Sequence, residues 1–260
     1  MKRLAIDINS DVGESFGPFR VGNDEELFPY ITSANIACGF HAGDPTTIRK
    51  TLDLAAKHSV AVGAHPGYPD RLHFGRVALP YPPEEVVDWI LYQLGALQMM
   101  AERAGLPLQH IKLHGALYHV AADDRRLAEV FLDAIVHLSR PPIVVGPPNS
   151  VLQAEAEERG LDYAAEGFAD RIYNEEGRLV PRNSRQPGTI SDPALAAEQA
   201  LQMVKERKVQ TASGARVEMK INTICIHGDT PGAARIAQSV HEKLQQSKIA
   251  IESLHRLVTE

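Results

Sequence analysis

The amino-acid sequence predicts a closed or nearly closed β/α barrel. Seven short apolar runs rich in β-branched residues alternate with helical patterns, and this alternation indicates parallel strands joined by helical crossovers. No linker, low-complexity segment or internal repeat interrupts the pattern. An open doubly wound sheet is the alternative, but no G-x-G-x-x-G follows the first strand. We therefore expect a single domain that spans residues 1–260.

The elements follow one another in a regular order. The predicted strands are "LAIDI", "YITSANIA", "SVAVGA", "HIKLHG", "PIVVG", "LDYAAEGFA" and "NTICIHG". The predicted helices are "TTIRKTLDLAAKH", "EEVVDWILYQLGALQMMAERAG", "RRLAEVFLDAIVHL", "NSVLQAEAEERG", "DPALAAEQALQMVKERK" and "TPGAARIAQSVHEKLQQ". Asp44 and Asp192 each precede a proline, which is typical of a helix start. Gly105 and Gly160 fit the ends of helices.

Composition and charge argue against several classes of protein. The net charge is −6 without a basic cluster, so we expect no nucleic-acid partner. No apolar run approaches the roughly 20 residues of a membrane span, and "MKRLAIDINSD" meets an acid too soon for a signal peptide. The two cysteines, Cys38 and Cys225, lie far apart, which suits a reducing cytoplasm. These features predict a cytoplasmic protein that does not bind membranes.

The stretch "DINSDVGE", residues 7–14, carries four polar groups. Side chains on a strand alternate faces, so Asp7, Asn9 and Asp11 point one way, and Glu14 follows them. An EF-hand calcium loop needs Gly at its sixth position and Glu at its twelfth, where this chain has valine and proline. Two interpretations remain, a solvated edge strand and one wall of a pocket.

Polar residues gather where the predicted strands end, which is where a β/α barrel places its active site. They are Asp7, Asn9, Asp11 and Glu14; Asn35 and His41; His65; Lys112 and His114; Glu166, Asp170 and Arg171; and His227 and Asp229. A single histidine after a strand is more often a hydrogen-bonded core or loop residue than a catalyst. However, four of the eleven histidines fall at strand ends. The joint pattern predicts one pocket suited to acid–base chemistry or metal-assisted hydrolysis.

The segment "DRIYNEEGRLVPRNSRQPG" is too polar for a core. It carries Arg171, Arg178, Arg182 and Arg185 between glycines and prolines. One interpretation is an ordinary surface hairpin, and the other is a lid or a subunit-facing loop beside the pocket.

Six motifs together resemble the LamB/YcsF family. They are "DINSDVGE", "SANIACGFHAGDP", "GAHPGYPDRLHFGR", "IKLHGALY", "EGFADRIYNEEGRLVPR" and "TICIHGDTPGA", in order over nearly the full chain. The resemblance implies a distorted seven-stranded β/α barrel related to glycoside hydrolases and carbohydrate deacetylases. It also implies that 5-oxo-L-proline, ATP and water give L-glutamate, ADP and phosphate, in a complex with 5-oxoprolinase subunits B and C.

Opening a five-membered lactam is amide hydrolysis, and phosphorylation of the amide oxygen would make the ring carbon electrophilic. The reaction then needs a base for water, an acid for the ring nitrogen and cations for the anionic oxygens. The expected catalytic residues are Asp7, Asp11, Glu14, His41, His65, His114 and Glu166. The expected substrate-binding residues are Asn9, Asn35, Lys112, Asp170, Arg171, Arg182, His227 and Asp229.

ATP is the expected co-substrate, with Mg²⁺ as its candidate companion, yet the chain has no G-x-x-x-x-G-K-[ST] loop. The stretch "HGDTPGAAR" offers glycines and a helix start to a phosphate, but no lysine. We therefore expect activity only with the partner subunits.

Two other classes of function stay open. A metal-dependent deacetylase needs an Asp and two histidines a turn apart on one element, whereas His65 and His73 are eight residues apart. Asp11, His41, His65 and His227 would have to assemble such a site in three dimensions. The other class is a non-catalytic subunit that binds 5-oxoproline for its partners. The sequence alone assigns no metal.

Overall fold

Seven parallel strands close a barrel in the computed structural model, which describes residues 3–182, 184 and 188–258. The described residues contain ten strands in all, of which seven form the barrel. They are β1 (Ala5–Val12), β2 (Ser33–Ala37), β3 (Ala61–His65), β4 (Leu108–Lys112), β5 (Ile143–Gly146), β6 (Tyr163–Phe168), β7 (Lys208–Gln210), β8 (Arg216–Glu218), β9 (Thr223–His227) and β10 (Ala250–Ile251). The barrel runs from β1 to β6 and then β9, and β1 pairs with both β2 and β9. The predicted seven-stranded barrel is confirmed.

Helices surround the barrel, and six of them match the predicted ones. The α-helices of the described residues are α1 (Asp24–Leu27), α2 (Pro45–His58), α3 (Pro83–Arg103), α4 (Gly115–Asp123), α5 (Arg125–Val136), α6 (Val151–Glu158), α7 (Pro193–Glu206), α8 (Ala233–Gln246) and α9 (His255–Val258). The carboxylate of Asp44 caps α2 by accepting from the Thr47 N–H, and Asp192 caps α7 in the same way. Within the described ranges, no helix has the length and apolar character needed to cross a membrane.

Helix α4 and the hairpin of β7 and β8 are among the elements that were not predicted. Helix α4 begins directly after His114, at a glycine with a positive φ of 57°, so its first turn reads as part of a strand-end loop. Strands β7 and β8 form a short antiparallel hairpin whose residues are mostly exposed. Helix α4 has 9 residues and strands β7 and β8 have 3 each, so their apolar patterns are too short to stand out in the sequence.

The two faces of β1 carry different chemistry. Ile6 and Ile8 pack into the hydrophobic layer between barrel and helices, so Asp7, Asn9 and Asp11 face the barrel interior. The strand is paired on both sides and is buried from Ile6 onward, so the edge-strand interpretation is wrong. The interior of this barrel is therefore polar along β1, whereas branched aliphatic side chains usually fill a β/α barrel.

A small apolar cluster occupies another part of the interior. Ile143 lies opposite His110 in the strand register, and Val145 lies opposite Lys112, so both aliphatic side chains share the inner face. They pack with Ala164 and with Leu254, which directly precedes α9. Hydrophobic packing thus fills the interior at β5 and the first part of β6, beside the polar groups of β4.

Gly63 in β3 makes room for the ring of His110. A Cβ at this position would lie 2.2 Å from two ring atoms of His110, and the Nε2 of that ring is held 2.8 Å from Asn35 Oδ1. We expect Gly63→Ala to destabilise the protein by about 1–3 kcal/mol, because overpacking a core forces neighbours out of place. Chemical denaturation would measure the change in the free energy of unfolding.

The matched control is Gly95→Ala in the middle of α3. A Cβ there would meet no atom within 4 Å, and alanine is a better helix former than glycine, so a gain of about 0.5–1 kcal/mol is expected. Equal effects of the two substitutions would contradict the close packing at Gly63.

Candidate active site

A cavity of about 510 Å³ opens at the carboxyl ends of the barrel strands. Its charged and aromatic lining consists of Asp11, His65, Arg76, Lys112, His114, Tyr118, His119, Phe168, Arg171, Arg182 and His227. Acids and imidazoles lie at its inner end, and guanidinium groups lie towards the loops. The place agrees with the barrel rule for active sites.

A buried ion triad forms the floor of the cavity. The Lys112 ammonium lies 2.9 Å from Asp11 Oδ1 and 2.9 Å from Glu166 Oε1. Burial opposes the charge on Lys112, but Asp11, Cys225 and Glu166 hold its pKa well above the usual value. Burial also opposes the charge on Asp11, yet His65 and Lys112 keep its pKa well below the usual value. Asp11 and Lys112 therefore stay ionised at neutral pH.

Beside the triad lies a histidine cluster, made of Glu14, His41, His65 and His114. The rings of His41 and His114 stack with centroids 3.6 Å apart and planes 2° from parallel. The Nε2 of His65 lies 2.9 Å from the Nδ1 of His114. Glu14 Oε1 lies 3.4 Å from His41 Nε2 and 3.6 Å from His114 Nδ1. All four side chains are buried.

Burial sets the protonation of the stacked pair. It lowers the pKa of His41 and of His114 well below the usual value, and neighbouring imidazoles lower both further. Burial and the charge of Asp11 raise the pKa of Glu14 well above its usual value. The two stacked imidazoles are accordingly neutral at neutral pH, with basic nitrogens available for a proton or another cation.

Glycines in the "HPGYPDRLHFG" loop make the stacked pair possible. A Cβ at Gly67 would lie 2.6 Å from His41 Nδ1. A Cβ at Gly75 would lie 2.9 Å from both His114 Cδ2 and His41 Cβ, and Gly75 also has a φ of 64°, which side chains disfavour. At Gly67 and Gly75 the loop after β3 therefore packs backbone without a side chain against the imidazoles.

Three arginines line the outer part of the cavity. Arg76 and Arg182 both bind the Asp229 carboxylate, with Arg182 Nη1 3.1 Å from Oδ2. Arg171 donates instead to the carbonyls of Gly188 and Val180, at 2.9 and 2.8 Å, so it mainly fixes the segment that follows β6. Sequence reasoning missed Arg76. The sequence could have indicated Arg76 as a site residue, because it ends the motif "GAHPGYPDRLHFGR" that follows the third strand.

Asp170 supports His227 rather than facing the cavity. Its carboxylate accepts from the His227 N–H and the Thr230 hydroxyl, and lies 3.0 Å from His227 Nδ1. The His227 ring stacks on Phe168 with centroids 5.2 Å apart. Asp170 therefore contacts His227 and Thr230 and is not among the residues that line the cavity, whereas the sequence predicted contact with substrate.

Three predicted site residues lie beneath the cavity instead of lining it. Asp7 accepts hydrogen bonds from the hydroxyls of Thr32, Ser33 and Thr223. Asn9 donates to Glu166 Oε1 at 2.9 Å, and Asn35 donates to Asp11 Oδ1 at 2.7 Å. All three are buried. They form a supporting network because they lie two to five residues before the ends of their strands and therefore deeper in the barrel.

Glu166 also differs from its predicted place. It does not line the first cavity but reaches it through Lys112, and it contributes to a neighbouring cavity of about 500 Å³. Tyr118 and Phe168 contribute to both cavities. The Lys112 ammonium therefore lies between the Glu166 carboxylate and the first cavity.

The polar segment after β6 forms one wall of the cavity. Leu179, Pro181 and Arg182 line it, and Arg178 pairs with Asp123 of α4 at 2.6 Å. The same segment makes a hairpin turn, in which the Asn174 N–H donates to the Arg178 carbonyl at 2.8 Å. Arg185, also noted in the sequence, lies outside the described residues.

Comparison with known proteins agrees with the fold. The family model described as "LamB/YcsF family" matches residues 6–259. The 5-oxoprolinase A subunit of Pyrococcus horikoshii is 45% identical over 255 residues, which cover 98% of this chain and 100% of the relative. The same-named protein of Geobacillus thermodenitrificans is 45% identical over 251 residues, 96% of this chain and 97% of the relative.

Solved structures share the fold. The crystal structure of a lactam utilization protein from Thermus thermophilus superposes with a TM-score of 0.89 at 42% identity, covering 96% of this chain and 99% of that one. A putative cellobiose-phosphate cleavage protein from Enterococcus faecalis has a TM-score of 0.56 at 14% identity over 99% of this chain and 100% of that one, and shares the fold alone. With the family model, the relatives and the barrel in agreement, the chain belongs to the LamB/YcsF family.

Proposed function

We propose that the chain is the A subunit of an ATP-dependent 5-oxoprolinase, which converts 5-oxo-L-proline to L-glutamate while ATP becomes ADP and phosphate. The observation that carries the proposal is that ionised Asp11 and Lys112 lie together with the neutral imidazole of His114 at the inner end of a cavity. Relatives that match over nearly their full length and are named as the A subunit of 5-oxoprolinase support the substrate.

The cavity suits a small anionic substrate. The Lys112 ammonium lies at its floor, and the guanidinium groups of Arg76 and Arg182 lie near its opening. A guanidinium has five N–H donors in a planar fork that matches a carboxylate or a phosphate. Asp229 occupies only some of those donors, so the arginines keep others for the substrate carboxylate and for phosphoryl oxygens.

The imidazoles supply the proton transfers. Once the amide oxygen is phosphorylated, the oxygen of one water bonds to the ring carbonyl carbon, the C–N bond breaks and the nitrogen gains a proton, which leaves the glutamate side chain as an acyl phosphate. A second water then bonds to the same carbon as the bond to the phosphate oxygen breaks, so that phosphate leaves and the carboxylate is complete. His65 is the proposed base, because its Nε2 lies 3.5 Å from the ionised Asp11 Oδ2, which stabilises the imidazolium that forms. His114, 2.9 Å from His65, is placed to pass the proton on.

The reaction also needs an ATP site and partners. The sequence lacks the lysine-bearing phosphate loop of a nucleotide site, so we assign ATP, with Mg²⁺, to a complex with subunits B and C. The word "subunit" in the relatives' names supports an assembly. Cys38 and Cys225 are free and buried, in keeping with the proposed cytoplasmic location.

The decisive experiment measures glutamate and ADP released by the chain alone, by the chain with subunits B and C, and by the same mixture without ATP or without 5-oxoproline. We expect both products only in the complete mixture. Glutamate from the chain alone without ATP would show a self-sufficient hydrolase. Products from the chain alone that require ATP would show a nucleotide site within this chain. No 5-oxoproline-dependent product in the complete mixture would contradict the proposed function.

A further inference from the structure

Two buried histidines of the cluster, His65 and His114, face each other through nitrogens that cannot hydrogen-bond to one another while both rings are neutral. His65 Nδ1 lies 2.8 Å from the Lys112 carbonyl, and His114 Nε2 lies 2.8 Å from the Phe74 carbonyl. A carbonyl only accepts, so each of these outer nitrogens carries the hydrogen. The inner nitrogens, 2.9 Å apart, then both carry lone pairs. Two lone pairs that face each other repel, and a cation bound to both nitrogens would remove that repulsion.

Glu14 and His41 add unpartnered atoms at the same place. Among the described residues, Glu14 Oε1 and both ring nitrogens of His41 are buried without a hydrogen-bond partner. A buried polar atom left unpaired typically costs about 1–3 kcal/mol. One ligand atom from each of Glu14, His41, His65 and His114 lies within 4.8 Å of the other three. The cluster therefore presents lone pairs to a common centre.

The spacing fits a divalent transition-metal ion. Metal–nitrogen and metal–oxygen bonds of about 2.0–2.2 Å in a tetrahedron place ligand atoms roughly 3.3–3.6 Å apart. The separation of 3.6 Å between His114 Nδ1 and Glu14 Oε1 lies in this range. The separation of 2.9 Å between His65 Nε2 and His114 Nδ1 would have to widen by roughly 0.4 Å around a tetrahedral ion. Metal-bound histidines also usually donate their other N–H to a carboxylate, a backbone carbonyl or water, and both rings here have a carbonyl partner.

We propose that Glu14 Oε1, His65 Nε2 and His114 Nδ1 bind one divalent transition-metal ion such as Zn²⁺. His41 is not a ligand in this arrangement, because its ring stacks 3.6 Å from the parallel ring of His114 and the two planes cannot both contain the ion. A fourth position faces the cavity that His65 and His114 line, and it is available to water. Two histidines, one glutamate and an open position are a ligand set of catalytic zinc sites.

A second group of candidate ligands, Asp11, Cys225 and His227, lies nearby. Its members are already occupied, since Lys112 Nζ contacts both Asp11 Oδ1 and Cys225 Sγ, at 2.9 and 3.1 Å, and Asp170 holds His227. A lysine ammonium beside two of the three groups repels a cation. The histidine cluster is therefore the better site. Its occupancy does not depend on the proposed lactam chemistry, although a bound ion would activate water for that reaction in place of the His65 nitrogen.

The test uses the full-length chain stripped of metal with a chelator and then dialysed against Zn²⁺ or Co²⁺. We expect about one ion per chain, and a loss of affinity of at least about 100-fold in Glu14→Gln and in His65→Asn, above the roughly 10–100-fold that loss of an outer-shell partner costs. The control His73→Asn removes an exposed histidine eight residues further along the chain and should bind as the parent does. Circular dichroism would verify that each variant is folded.

The absorption spectrum of the Co²⁺ form of the unmodified chain gives a second readout that needs no variant. Nitrogen and carboxylate ligands produce visible bands without a thiolate charge-transfer band in the near ultraviolet, which is the expected result. A thiolate band would place the ion at Cys225 and overturn the proposal. Failure of the folded chain to bind either ion at micromolar concentrations would also overturn it, since the two histidines would then share a proton instead.

Discussion

Replacing His114 with alanine, or Asp11 with asparagine, is expected to lower the turnover of the proposed 5-oxoprolinase complex by about 10²- to 10⁴-fold, the usual cost of losing a positioned acid or base. Both side chains line the cavity. Asp11 lies 3.5 Å from the His65 nitrogen, and His114 lies 2.9 Å from it. The measurement is the rate of glutamate formation by variant chains mixed with subunits B and C.

The matched control for this loss is His73→Ala. His73 lies in the loop after β3, like the glycines over the cluster, but its side chain is exposed and pairs only with Asp70 among the contacts described. Its variant should turn over at the rate of the unmodified chain. If His114→Ala and Asp11→Asn also kept full turnover, both residues would be structural. If they lost 5-oxoproline binding in proportion to turnover, the chain would be a binding subunit.

Replacing Lys112 with methionine is expected to destabilise the fold by about 3–5 kcal/mol, the typical cost of removing one partner of a buried ion pair. The ammonium is the cation shared by Asp11 and Glu166, each 2.9 Å away. Without it two buried carboxylates repel each other and lack a counter-charge. Urea denaturation followed by circular dichroism would measure the change in the free energy of unfolding.

The control is Lys220→Met, which removes the cation from the exposed pair with Glu218, 3.6 Å apart. Such pairs contribute about 0–1 kcal/mol, so little change is expected. Adding Glu166→Gln to the Lys112→Met chain should restore part of the lost stability, because one of the two unpaired charges disappears. No rescue, with equal effects at positions 112 and 220, would contradict the buried triad.

The barrel could be predicted from the sequence because its signals are local. Apolar runs, helix caps such as Asp44 and glycines at helix ends each act within a few residues, and the strands they mark follow one another around the barrel. The depth of each side chain was harder to predict. Asp7 and Asp11 share one face of β1, yet the hydroxyls of Ser33 and Thr223 enclose only the former.

The remaining differences at the site depend on contacts between distant segments. Arg76 meets Asp229, which is 153 residues further along the chain, and no local pattern indicates that pair. The tautomers of His65 and His114 follow from the carbonyls of Lys112 and Phe74. Single-sequence patterns contain neither contact.

The closure of the barrel between β1 and β9 has a consequence for synthesis in the cell. The first strand leaves the ribosome early, but its partner at Thr223–His227 follows more than 200 residues later, on the order of 10–40 s at ordinary translation rates. During that interval β1 has one free edge, and its inner face cannot complete its hydrogen bonds. Because that face carries Asp7, Asn9 and Asp11 rather than aliphatic side chains, water can solvate it while the chain waits. A polar barrel interior would thus leave the nascent chain with less apolar surface to aggregate through.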